Sequence, residues 1–383
     1  MKKREVLYVL LAIFFVGCGS PSGFKSIVTV VTDNNNSKDT PTEMDDNTSK
    51  NTDQEVDDNT LKDLEKKVRA STVQIKIGNR KESKWGTGFF INAEGYIITS
   101  NNVATGGFVF QINIKGEEIY ALPVGYAECA NLAVIKLISS TNNYLDWYDD
   151  YATPTSHVAV ASFTEDIVDS ENRPTFIYNK GVVHTVSRQI STPWVYTEAF
   201  DHSAFTTVGG HLGGPVVDVA TGKVVGMHYA GSEKSPNRKY AISGIEAKAL
   251  VNRMINGENI YSIGISPEVS LSNSGKSLGV RVKNVVVRQH ADRIGIKTDD
   301  LIIGLGGESL TQGIESRVAT LERYCSVLRT HNPNNPDDTE DRGDIVSIKI
   351  QRFTQDDKWV TCQGEINGDS LTLADDSNAA CPK

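Results

Sequence analysis

Positive charge is in short supply in this sequence: 39 lysines and arginines face 48 aspartates and glutamates, a formal net charge of −9 over 383 residues. Nothing in it resembles a basic stripe that could neutralise phosphates, which argues against a nucleic-acid partner. Cysteine is also scarce, five in all, and no zinc-type spacing is visible, so neither a metal nor another cofactor is expected. Large apolar residues are nearly missing from Asp33 to Thr60, where a single valine and a single methionine stand among Asn, Asp, Thr, Ser and Lys. Such a stretch cannot bury enough surface to offset the entropy of ordering it. Its acidic residues lack the fixed ligand spacing and turn glycine of a calcium loop, so a solvated tether is the expectation. The remaining apolar content is that of a folded soluble protein, and the length suits two ordinary domains plus tails.

The N-terminus carries Lys2, Lys3 and Arg4, an apolar run from Val6 to Val16, and small residues around Cys18. That run is too short to span a bilayer and reads as a secretory signal over residues 1–17. Phe15-Val16-Gly17-Cys18 further resembles a bacterial lipobox, although Phe15 replaces the usual leucine. The resemblance implies that Cys18 becomes the lipidated first residue of the mature protein, anchored to a membrane of the cell envelope. Gly19 rather than aspartate follows, which by the same resemblance favours an outer membrane, facing the periplasm or the cell surface. Residues 18–60 would then be the acidic tether.

From residue 61 the pattern changes. Leu61, Leu64 and Val68 recur at helical spacing, and short runs with strand character follow: Val73 to Ile77, Gly86 to Ile91, Tyr96 to Thr99, Leu132 to Leu137, His157 to Phe163, Lys180 to Ser187 and Lys223 to Tyr229. Many short strands without long intervening helices predict a mainly β unit, barrel or sandwich, over 61–256. Ala247 to Ile255 reads as its closing helix, and Asn256 to Asn259 as a linker turn.

Five blocks in this region, WGTGFFINAEGYIITSNNV, NLAVIKL, GVVHTVSR, GGHLGGPVVD and KVVGMHYA, occur in the order and register of a trypsin-like protease of the HtrA (DegP-like) family, which this stretch resembles. The resemblance implies a double β-barrel and a Ser-His-Asp mechanism. At the three positions where it would put those residues, this sequence has Asn102 for the base, Asn131 for the carboxylate and Leu212 for the nucleophile. An amide has no basic lone pair near neutral pH, and leucine has no attacking atom, so a catalytically degenerate protein is expected. The N–H groups of Gly210 and Leu212 would remain as a vestigial oxyanion hole. The connection ahead of Leu212 is longer than the family's. It contains His202, Ser203, Thr206, Thr207 and His211, from which a rearranged active site remains an alternative.

Ile260 to Ile265, His290-Ala291 through Gly295-Ile296 to Asp300-Leu301-Ile302, and Gly306 to Leu310 resemble the PDZ domain that follows the protease in HtrA proteins, and place such an α/β domain over 260–366. That resemblance implies a groove for an extended C-terminal peptide, its carboxylate held by the loop Ser262, Ile263, Gly264 and Ile265, beside a helix near Ile314 to Leu328. Polypeptides or protein C-termini are the expected partners, and the family's frequent trimers make a homo-oligomer an expectation too. Asn332 to Arg342 reads as an inserted polar loop, and residues 367–383 as a tail. With Cys18 lipidated, Cys129, Cys325, Cys362 and Cys381 remain for disulfides, with three connectivities open. Pairing of Cys325 with Cys362 or Cys381 is preferred, and free buried thiols are the alternative.

Overall fold

The structure, a computed structural model, describes residues 58–78, 83–114, 117–168, 174–192, 195–206, 210–231, 238–331, 346–368 and 370–382. The signal segment, Cys18, most of the tether, Thr207 and the polar insertion from Asn332 to Arg342 lie outside the described residues. Among the described residues no helix is long and apolar enough to cross a membrane.

Helix α1 (Asp58–Ser71) starts three residues ahead of the expected boundary. Its apolar stripe faces inward: Val68 is fully buried, and Leu64 lies over Gly222, where an added Cβ would come within 2.6 Å of the leucine. The first barrel follows as β1 (Thr72–Gly78), β2 (Ser83–Phe90), β3 (Tyr96–Ser100), helix α2 (Asn101–Ala104), β4 (Phe110–Ile114), β5 (Glu117–Ala127) and β6 (Leu132–Leu137). Its strand order is β1-β2-β3-β6-β5-β4, closed by pairing of β1 with β4. The alternation in β1 sends Val73, Ile75 and Ile77 to one face, where they meet Phe90, Ile97, Phe110, Ile112 and Ile135 in the barrel core.

The second barrel comprises β7 (His157–Val168), β8 (Pro174–Thr192), β9 (Val195–His202), β10 (Pro215–Asp218), β11 (Val224–Gly231) and β12 (Lys239–Ser243). Counted from its own first strand, its order β7-β8-β9-β12-β11-β10 is that of the first barrel. Between the two barrels runs a third apolar cluster, which joins Phe89, Ile98, Leu132 and Val134 of the first to Ala159, Val217, Met227 and Ile242 of the second. Helix α3 (Gly244–Ile255) closes this seam with Ala247, Val251 and Met254. Each such buried side chain contributes about 1.5–3 kcal/mol, which makes the seam a folding element and not a loose contact. The mainly β double barrel predicted from the sequence is therefore present.

The expected linker is pinned down. Ile260 N donates to Tyr126 O at 2.7 Å, and Asn259 Oδ1 accepts from Tyr126 N at 3.1 Å. Beyond it lie β13 (Ile265–Leu271), β14 (Ser277–Val285), α4 (His290–Arg293), β15 (Leu301–Leu305), β16 (Glu308–Ser309), α5 (Arg317–Thr330), β17 (Ser347–Phe353), β18 (Trp359–Glu365) and β19 (Thr372–Leu373). They form one antiparallel sheet in the order β13-β14-β15-β17-β18-β19, with β16 on β15 and β13 at an edge. Leu321, Tyr324 and Leu328 of α5 pack in one core with Ile265, Val280, Ile302 and Ile350 of the sheet.

The expected tail is part of this sheet. Leu371 is buried in its core, β19 pairs with β18, and a Cys362–Cys381 disulfide holds the end in place. Arg352 completes the clamp from β17. Its guanidinium forks onto Asp300 at 2.8 and 2.6 Å and also donates to the carbonyls of Gly295 and Pro382. Both charges are almost wholly buried, so removal of one leaves the other without compensation. Arg352→Met is expected to destabilise the protein by about 3–5 kcal/mol in urea unfolding. A loss below about 1 kcal/mol, the range of a surface pair, would contradict this account.

Candidate functional site

The first candidate site lies where the two barrels meet. Helix α2 begins directly after β3, with the Ser100 hydroxyl as its cap, accepting from Val103 N. Asn131 stands opposite, just before β6, in the left-handed conformation (φ 49°) that asparagine tolerates better than most residues. That turn aims its backbone carbonyl at Asn101 N and its Oδ1 at Asn102 N, both at 3.1 Å. Asn102 and Asn131 are thus brought together. The Asn102 Oδ1 accepts a hydrogen bond from Ser266 Oγ at 2.5 Å, which the sequence did not foretell, because Ser266 belongs to β13 of the second folded unit.

Leu212 lies on the turn before β10, half-buried against the core of the first barrel. Thr87 holds this turn from β2: its N–H donates to Leu212 O at 3.1 Å and its hydroxyl to Gly210 O at 2.7 Å, while that hydroxyl accepts from Phe163 N at 3.0 Å. Gly213 has a φ of 93°, and a Cβ there would stand 2.3 Å from Thr87 O; a Cβ on Gly214 would stand 2.2 Å from Ala161 O. Gly213 lets the turn approach the first barrel and Gly214 lets it pass close beside β7, whatever chemistry the turn performs. Gly210 has a φ of 71°.

Among the described residues ahead of the turn, His202, Ser203 and Thr206 are buried or bonded to backbone. Ser203 Oγ accepts from Val182 N at 3.0 Å and so is committed to the start of the β8 bend. His202 is fully buried and neither ring nitrogen has a hydrogen-bond partner; the Thr206 hydroxyl, also buried, has none either. The His202 ring leans on His228 of β11, 5.7 Å between centroids, and His228 on His211 at 5.0 Å. Burial pushes the His202 imidazole down to about 3, and burial above all, with the neighbouring histidines, holds His228 well below its usual range. An imidazole so depressed is a poor proton acceptor near neutral pH. Among the described residues, no group of three or more His, Cys, Asp or Glu side chains could hold a metal ion.

The second candidate site is the loop Ser262 to Ile265. Its donors converge on Glu128. Glu128 Oε2 accepts from Ser262 Oγ, Ile263 N, Gly264 N and Ile265 N, at 3.1, 3.1, 3.2 and 3.1 Å. Its other oxygen accepts from the hydroxyl of Tyr324 on α5. Burial pushes the Glu128 carboxyl up to about 7 against the pull of these hydrogen bonds, with Tyr324 first, and drives the Tyr324 hydroxyl well above its usual range. The next residue, Cys129, is disulfide-bonded to Cys325, the residue after Tyr324, with a Cα–Cα separation of 5.8 Å. The preferred pairing of Cys325 with Cys362 or Cys381 is therefore wrong. Cys325 faces the first barrel from α5, and Cys362 of β18 bonds to Cys381.

Glu128, Asn101, Ser266, Tyr324 and His228 escaped the sequence reading. One signal was available: a lone carboxylate in the otherwise apolar run Tyr126-Ala127-Glu128-Cys129-Ala130, beside a cysteine remote from all others. Such a charge has to be paired if the run is buried.

Residues 86–227 match the family model of the trypsin-like peptidase domain. A probable periplasmic serine endoprotease, DegP-like, of Bartonella henselae is 27% identical over 251 residues, covering 62% of this chain and 48% of that protein. A serine protease Do-like HtrA of Bacillus subtilis is 25% identical over 247 residues, covering 59% of this chain and 54% of that protein. The chain thus spans about half the length of the curated relatives it matches. A serine endoprotease of Yersinia pestis, known as a crystal structure, aligns at 17% identity and a TM-score of 0.44, covering 81% of this chain and 97% of that one.

The buried histidines carry a pH signature. His202 is neutral in the folded protein down to about pH 3 but titrates near 6.5 once unfolded. Its stabilising contribution is complete above pH 6.5 and is lost as the pH falls from there toward 3. Urea unfolding at a series of pH values should yield a slope in this window that is smaller in His202→Leu by up to about 1.4 kcal/mol per pH unit. An unchanged slope in the variant would count against the buried neutral ring.

Proposed function

We propose that this chain is an HtrA-like protein of the bacterial cell envelope that binds polypeptides, or scaffolds and regulates other proteins, without hydrolysing them. The observation that carries this reading is the company kept by Asn102, Asn131 and Leu212. None of the three can attack, accept a proton or stabilise an imidazolium, and Asn102 donates its backbone N–H to Asn131 Oδ1 while its side-chain Oδ1 accepts from Ser266 of the second unit. The glycines and the threonine that shape the turn remain because the barrels need them to pack. In this reading the second unit is a PDZ-like domain, Ser262 to Ile265 is its carboxylate loop, and Cys18 carries the lipid anchor.

A second reading, a serine endopeptidase with a rearranged site, is favoured by the names of the relatives. It would draw its nucleophile and base from Ser203, Thr206, Thr207, His202 or His211.

Purified full-length protein separates the two. Under the first reading it leaves fluorescein-casein intact and takes no label from a fluorophosphonate probe. Labelling that disappears in Ser203→Ala or His211→Ala would establish the second. Because triad members act as a unit, Leu212→Ser alone is also expected to leave casein hydrolysis at background, since no base stands ready to take the serine's proton. Activity in that single variant would overturn the assignment of Asn102 to the base position.

A further inference from the structure

The donors of the Ser262–Ile265 loop are already committed. We infer that the loop is a carboxylate receptor whose resident ligand is Glu128, and that the Cys129–Cys325 disulfide locks this internal ligand in place, so that a polypeptide C-terminus gains the loop only after reduction.

Four features carry the inference. Three successive backbone N–H groups and a hydroxyl aim at one oxygen, an arrangement suited to a carboxylate and wasted on a neutral group. The mimicry extends one residue along the edge strand. Ile265 opens β13 with its N–H on Glu128 and its carbonyl accepting from Asn101 Nδ2 at 2.9 Å, so side chains of the first barrel satisfy both groups to which an added strand would bond. The site is fully enclosed, since Glu128, Ser262, Ile263, Ile265 and Tyr324 are all buried to at least 98%. Finally, the bond between Cys129 and Cys325 ties the residue after Glu128 to the residue after Tyr324, which fixes ligand and groove helix together at adjacent positions.

The disulfide raises the effective concentration of the Glu128 carboxylate at the loop far above that of any free peptide. Opening it consumes a dithiol reductant: two electrons and two protons pass to the Cys129 and Cys325 sulfurs, which become thiols, and the reductant becomes a disulfide. Glu128 then competes with external carboxylates as an ordinary tethered ligand. The inference rests on reading the second unit as a polypeptide-binding domain, and the following experiment separates the two.

Full-length protein, oxidised or in the Cys129→Ser/Cys325→Ser form, would be titrated against a fluorescein-labelled decapeptide ending in valine, with either a free carboxylate or a C-terminal amide. The double variant keeps Cys362–Cys381 and so isolates the relevant bond. The free-acid peptide should bind the double variant, and more strongly a triple variant that adds Glu128→Ala, at least about tenfold tighter than the oxidised wild type. The amide should bind neither. Equal affinity for wild type and variants would overturn the latch while leaving peptide binding intact; no binding to any form would overturn the polypeptide-binding reading of the groove. Hydrogen exchange of the Ile263, Gly264 and Ile265 amides tests the latch without a peptide. Exchange should accelerate by about tenfold or more in the double variant relative to oxidised wild type, with barrel amides such as Val134 unchanged as the control for folding. Equal protection of the loop in both forms would also overturn the latch.

Discussion

The buried carboxylate of Glu128 is the constraint on which the rest of the arrangement depends. A carboxyl group withdrawn from water must find donors or lose its charge, and the first barrel has none to offer at the end of β5. All five of its partners lie in the second folded unit, on two separate elements, the loop before β13 and helix α5. Satisfying that one side chain therefore determines where β13 runs. Once β13 runs there, Ile265 meets Asn101, Ser266 meets Asn102, and Cys325 comes within bonding reach of Cys129.

This placement gives the cleft between the barrels a neighbour it would otherwise lack. The Asn102 side-chain carbonyl is a neutral acceptor matched to the Ser266 hydroxyl, and the short helix α2 that carries it is held through its first two residues, by Asn131 and by β13. These contacts make Asn102 a fixed joint between folded units. Thr87 performs the corresponding service between the barrels, with its backbone and hydroxyl distributed over Leu212, Gly210, Phe163 and Thr99. Both joints consist of short polar side chains in confined space, which tolerate little displacement.

The barrels were legible because period-two alternation and turn glycines are local signals: Val73 to Ile77 and Leu132 to Leu137 lie in strands as expected, and the strand expected from Lys223 begins one residue later, at Val224. The juxtaposition of Asn102 with Asn131 could also be anticipated, because the blocks that surround them keep their order. The roles of Glu128 and Ser266 could not. Each makes its decisive contact with a residue more than 130 positions away, and no local pattern encodes a partner at that distance. The preference for pairing Cys325 with a nearby cysteine failed for the same reason. Sequence proximity favoured the later cysteines, but Cys325 lies on the face of α5 turned toward the first barrel. The C-terminal segment, expected as a tail, is seated on the sheet by Leu371 and Cys381.

The connectivity of the two disulfides bears on how the protein is made. Among the four cysteines that follow Cys18, Cys129 is joined to Cys325 and Cys362 to Cys381, so each bond links neighbours in chain order and neither crosses the other. A chain delivered N-terminus first into an oxidising compartment would present its cysteines in the order in which they pair. Simple oxidation on arrival would then give the native connectivity, with no shuffling of bonds required, provided that Cys129 stays free until the helix bearing Cys325 has emerged.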